Sequence, residues 1–94
     1  MRVSWDRNKN LSNQRKHRVS FEVAARVFLD PRRIESYDDR EDYVEDCWIT
    51  IGAVEPAVLV VVYTVRNVDG DVIRLISARR ANAQEERAYR HNPA

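Results

Sequence analysis

Ninety-four residues, 44% apolar and 33% charged, are enough for one modest hydrophobic core without a disulfide or metal staple. The one cysteine, Cys47, excludes an intrachain disulfide framework and a multi-cysteine zinc site. The longest apolar run, Ala57 to Tyr63, is too short to cross a bilayer, and no secretory apolar segment follows Met1, so the expectation is one soluble cytoplasmic domain over 1–94 with no membrane partner.

Sixteen basic and fifteen acidic residues give a net charge of +1, but they are not mixed evenly. Residues 1–18 carry six cations against Asp6, residues 30–46 carry eight acids against three arginines, and residues 66–94 carry six arginines against four acids. Fourteen of the sixteen cations are arginine, whose planar fork suits phosphate and whose charge survives any working pH. A bias in genome composition would produce the same excess. The acidic middle suits a basic partner or a solvated hairpin.

In chain order, Val3 to Trp5 reads as a short strand. Asp6 caps a polar, Asn-rich helix over 7–17, for which Leu11 is the apolar anchor. Ser20 caps a second helix over 21–29, with Phe21, Ala24, Ala25 and Phe28 at helical spacing, and Asp30-Pro31 stops it. Ile34 to Tyr37 reads as a strand and Asp38 to Glu45 as a charged loop or hairpin. Strands over 48–54 and 58–66 flank a turn at Glu55-Pro56, and Asp69-Gly70 signals a hairpin into a strand over 72–79. Val58 to Val62 is apolar at both parities, as a central strand covered on both faces requires. Asn82 and Glu85 have capping-box spacing and open a helix over 83–91. Two helices, a strand meander and a short last helix predict an α+β fold with an antiparallel sheet.

A two-residue turn at Asp69-Gly70 would pair residues whose numbers sum to 139. Arg66 and Arg79 then share one face, and Arg74 lies on the other. The two sets meet only at a strand end or across a bulge.

The sequence resembles the BrnT family of bacterial toxins. The resemblance rests on Trp5-Asp6-Arg7-Asn8-Lys9-Asn10, on Lys16-His17-Arg18-Val19-Ser20-Phe21-Glu22-Val23-Ala24, and on Phe28-Leu29-Asp30-Pro31. It continues through Asp38-Asp39-Arg40-Glu41-Asp42-Tyr43, Trp48-Ile49-Thr50-Ile51-Gly52, and Val62-Tyr63-Thr64 with Arg66. Arg74, Ile76 to Ala81, and Glu85-Glu86-Arg87 with Tyr89 complete it. Three positions depart from the family pattern. Arg18 stands where Gly is usual, Cys47 where Arg often precedes the Trp, and Arg80 where Lys is common. The resemblance implies a RelE-like fold and a type II toxin that acts as a metal-independent endoribonuclease, needs no cofactor and halts translation. It also implies a DNA-binding BrnA-type antitoxin that forms a hetero-oligomer with the toxin and blocks it.

Metal-free RNA cleavage must take a proton from the 2′-OH, give one to the leaving 5′-oxygen and stabilise the phosphorane between. Arg66, Arg74 and Arg79, in or beside the two best-defined strands, are the candidates for holding the scissile phosphate. Arginine is a poor proton carrier, so His17 is the candidate acid or base. Tyr89 is the alternative, because the resemblance to RelE-like toxins implies a C-terminal tyrosine in the active site. Each has an ordinary reading: solvated or ion-paired strand arginines, a histidine at a helix end, a tyrosine anchoring the last helix. Trp5 and Trp48 suit the core better than base stacking, and the acids of 38–42 are a weak metal signal. The alternative function is a catalytically weak antitoxin-binding partner acting mainly in operon autoregulation. The near-neutral charge favours that reading, since RNA binders are usually more basic.

Overall fold

Strand alternation and three capped helices set the architecture. The computed structural model describes residues 1–38, 46–66 and 71–91. Its strands are β1 (Arg2–Ser4), β2 (Ile34–Asp38), β3 (Cys47–Val54), β4 (Ala57–Arg66) and β5 (Val72–Arg80). Its helices are α1 (Arg7–His17), α2 (Phe21–Ala24) and α3 (Ala83–Arg90), with a 3-10 helix over Ala25–Leu29. The predicted single helix over 21–29 is therefore an α-turn that tightens into 3-10 geometry.

The sheet order is β1-β5-β4-β3-β2, so the doubly apolar strand β4 sits in the middle. β2, β3, β4 and β5 form the expected antiparallel meander. β1 departs from it, running parallel to β5 with Val3 opposite Ile73, so the sheet is mixed. One face is covered by Phe21, Ala24 and Val27, which pack with Leu59, Val61, Tyr63, Leu75 and Ala78 into the core. Gly52 permits the close approach of the 3-10 helix, because a Cβ there would lie 2.8 Å from Val27 Cγ2 and 2.9 Å from Arg33 Cβ. No helix among the described residues is long and apolar enough to cross a membrane.

The helix signals hold at each cap. Asp6 accepts from the Asn8 and Lys9 N–H groups, Ser20 from Val23, and Asn82 and Glu85 form a full capping box. The anchor of α1 differs from expectation. Leu11 is 43% exposed, and the helix is held instead by the buried Asn10 and Asn13. Asn10 accepts from the Phe21 N–H at 2.8 Å and donates to Glu22. Asn13 accepts from the Ala78 N–H at 3.1 Å and donates to the Ala78 and Val19 carbonyls at 2.8 and 2.9 Å. β1 pairs only with residues 72–74, so Asn13 serves as the hydrogen-bonding partner of β5 where β1 has ended.

Arg18 closes α1 in the left-handed conformation, with φ 59° and ψ 30°. A side chain there is strained and glycine is not. Arg18→Gly is expected to stabilise the chain by about 0.5–1 kcal/mol, read as a rise of a few degrees in Tm.

Candidate active site

The β4–β5 hairpin carries all three predicted arginines, and a bulge decides where they point. From Leu59↔Arg80 to Val62↔Ser77 the register is the one a two-residue turn gives. From Tyr63↔Leu75 to Arg66↔Val72 it is shifted by one, leaving Ile76 without an opposite number. The Asp69-Gly70 turn lies outside the described residues. Leu75 and Ala78 are both fully buried in the core although three residues apart. Arg74 and Arg79 flank them and consequently point to the same side, away from the core. Arg66, two residues along from Thr64, which pairs with Arg74, lies on that side too. The expected separation of Arg74 onto the opposite face is thus corrected.

The three cations form a line. Arg66 and Arg74 are diagonal neighbours, roughly 7–8 Å apart at the backbone. Arg79 pairs with Val60, six residues along β4 from Arg66, which is roughly 20 Å at about 3.3 Å per residue. Arg79 Nη1 and Nη2 each donate to Glu85 at 2.7 Å, and the same carboxylate accepts from the Asn82 N–H. Arg79 therefore occupies the ion-paired position that was its ordinary reading. Arg74 is half-buried between Thr64 of β4 and Ser4 of β1 and has no hydrogen bond or ion pair among the described residues. Its charge helps hold the Asp6 carboxyl below the usual range, after the stronger effect of the Lys9 and Asn8 N–H groups.

Thr64, beside Arg74, is 1% exposed, and its Oγ1 has no hydrogen-bond partner among the described residues. An unsatisfied buried hydroxyl costs about 1–3 kcal/mol. Thr64→Val is expected to stabilise the chain by about 1 kcal/mol, measured as a higher denaturation midpoint.

His17 lies at the end of α1, half-buried, on a groove of about 240 Å³ between that helix and the bulge. Lys9, Ser12, Lys16 and His17 line the helix side and Ile76 and Ser77 the strand side, with no acid among them. The groove thus opens on β5 between Arg74 and Arg79. Asn13, by tying α1 to Ala78, sets its width.

Tyr89 is elsewhere. It is 9% exposed, and its hydroxyl donates to Asp30 Oδ2 at 2.5 Å. Asp30 also accepts from the Ala53 and Arg32 N–H groups at 2.8 and 2.9 Å. The bond to Asp30, then burial, holds the Tyr89 phenol above its ordinary value. Burial opposes ionisation of Asp30, but its three donors hold it below the carboxylate range. The pair fastens α3 to the end of the 3-10 helix.

Trp5 and Trp48 pack against the core, Trp5 edge-on to Phe21 at 6.2 Å and Trp48 edge-on to Tyr37 at 5.4 Å. Sequence reasoning missed a polar cluster at the β2–β4 level. There Glu35 accepts from the Tyr63 hydroxyl and from Arg33 Nη1, and Arg33 lies 5.1 Å above the Phe28 ring. Burial pushes the Tyr63 phenol up, and the bond to Glu35 adds to it. No spacing in the sequence links residues 35 and 63; only the strand register does. Asp39, Glu41 and Asp42 lie outside the described residues. Among those described, no three His, Cys, Asp or Glu side chains form a metal-ligand set.

The α+β fold is that of a known ribonuclease toxin. The structure is similar to the 1.1 Å crystal structure of Brucella abortus BrnT, with a TM-score of 0.62, 21% identity, and coverage of 87% of this chain and 97% of that one. No curated protein sequence matches the chain. Residues 5–85 match the family described as "Ribonuclease toxin, BrnT, of type II toxin-antitoxin system", and the chain belongs to that family.

Proposed function

We propose that the chain is a RelE-like, metal-independent endoribonuclease that cleaves RNA and inhibits translation in the cytoplasm. A DNA-binding BrnA-type antitoxin neutralises it in a hetero-oligomer, and no cofactor takes part. The observation that carries this reading is the Ile76 bulge, which turns Arg74 and Arg79 to the same side beside the His17 groove, whose described lining residues include no acid.

Arginines in a line roughly 20 Å long meet successive phosphates of an RNA strand rather than one. Arg66 and Arg74, the adjacent pair, take the scissile phosphate and stabilise the charge that develops on it. Arg79 serves a neighbouring phosphate. The attacking 2′-OH loses its proton and forms a bond to phosphorus while the bond to the 5′-oxygen breaks. His17 takes that proton and returns one to the leaving 5′-oxygen. Tyr89, its hydroxyl committed to Asp30, acts by holding α3 rather than at the reacting atoms.

Inducible expression of the free chain tests this. Growth arrest with RNA loss, and cleavage of RNA by the purified chain in the presence of a chelator, are the expected results. A harmless chain that still binds its antitoxin tightly would overturn the enzyme reading and leave operon autoregulation as its role.

A further inference from the structure

Two clefts lie outside the RNA track. The larger, about 700 Å³, runs between the 3-10 helix, β3 and α3, with Arg26, Arg32 and Arg90 on its walls. The smaller, about 310 Å³, lies between α1, α2 and the strands, with Arg18 and Arg80 at its rim. Val54 lines both, so the two clefts adjoin there and make a trough in two parts. Neither shares a lining residue with the His17 groove.

The trough has an apolar floor of Val54, Ala57 and Leu59. Val23 and Leu29 stand on its banks, 41% and 79% exposed. Among the described lining residues the acids are Asp30 and Glu55. Asp30 is held by the Tyr89 hydroxyl and the Ala53 and Arg32 N–H groups and its charge acts on Arg32, so two carboxylates face the five arginines Arg18, Arg26, Arg32, Arg80 and Arg90. Arg90 is partly neutralised by Glu86, whereas Arg26 and Arg32 have no ion pair among the described residues. Among the described residues, no exposed aromatic ring lines the trough, since Tyr89 is buried. RNA grooves commonly offer rings for stacking. An apolar floor between banks of arginine fits a polypeptide that carries apolar side chains along one face and carboxylates beside them.

We propose that this trough docks the neutralising antitoxin through such an acidic, amphipathic segment. The proposal rests on the toxin–antitoxin reading above and adds the place and chemistry of contact. Leu29 and Val23 supply apolar contact, and Arg26 and Arg32 pair with the carboxylates and speed encounter.

The probe is the product of the adjacent reading frame that relieves the growth arrest, titrated against the full chain at two salt concentrations. Arg26→Glu combined with Arg32→Glu is expected to weaken binding on the order of 100-fold and to flatten its salt dependence, with RNA cleavage by the free chain unchanged. Leu29→Asp is expected to weaken binding about tenfold or more. At 79% exposure it does not put folding at stake, so it decides the matter if the double variant fails to fold. Wild-type affinity in the folded trough variants overturns the proposal. Lost RNA cleavage with antitoxin affinity retained also overturns it, assigning the trough to nucleic acid. The enzyme reading fails separately: an inactive wild-type chain whose trough variants still lose the antitoxin leaves the docking site standing.

Discussion

Asn13→Ala is expected to destabilise the chain by about 3–5 kcal/mol, a large share of the 5–15 kcal/mol that holds a typical domain together. The side chain is 7% exposed and makes three hydrogen bonds to backbone groups of Ala78 and Val19. Truncation removes all three and strands buried donors and acceptors, each at about 1–3 kcal/mol, with relaxation and entering water returning part. At about 4–8 °C per kcal/mol, the thermal midpoint falls by about 12 °C or more, on the order that melts a marginal chain at ambient temperature. Leu11→Ala provides the contrast. Its side chain is 43% exposed, so its removal is expected to shift the midpoint by only a few degrees. Equal losses in the two variants would refute the account of α1 given above.

Arg74→Ala is expected to lower kcat for RNA cleavage on the order of 10²–10³-fold, the usual consequence of removing one preorganised group that stabilises transition-state charge. Arg74 holds no hydrogen bond or ion pair among the described residues, so its loss strands no partner and the Tm is expected to move little. Arg74→Lys keeps the charge but not the two-pronged geometry, and is expected to recover only part of the rate. Arg79→Ala removes a group already shared with Glu85, so its direct effect on the rate is expected to be smaller. A rate unchanged by Arg74→Ala would remove that residue from the proposed site.

Much of the fold is local and was therefore legible. Val58 to Val62, apolar at both parities, could only be an inner strand, and β4 is the middle one. Asp6, Ser20, and Asn82 with Glu85 mark their helix starts because capping is a contact over two or three residues. What sequence missed is non-local or polar. The parallel pairing of Val3 with Ile73 spans seventy residues and leaves no spacing to read. α1 is held by asparagines bonded to strand backbone, so it has no apolar stripe, and Leu11 was the wrong residue to choose. At the site, the arginines and His17 were nameable from chemistry and family likeness, but their arrangement depended on the Ile76 bulge. No glycine marks that bulge. Arg26 and Arg32 draw attention only once the 3-10 helix and α3 come together around Tyr89.

The unopposed Ile76 has one more implication. Its kink absorbs one residue of misfit between two halves of β5 that strict alternation would put out of step. Were that kink ironed flat with Ile76 kept, one half of the strand would turn over: Leu75 would be thrust toward water and Arg74 into the hydrocarbon interior, or Ala78 and Arg79 would trade places instead. Excising Ile76 has the opposite outcome, because it leaves one unbroken ladder in which Leu75 and Ala78, then two positions apart, still face inward and Arg74 and Arg79 outward. Strand length here is counted in whole residues, and this is the one whose loss leaves both faces as they were.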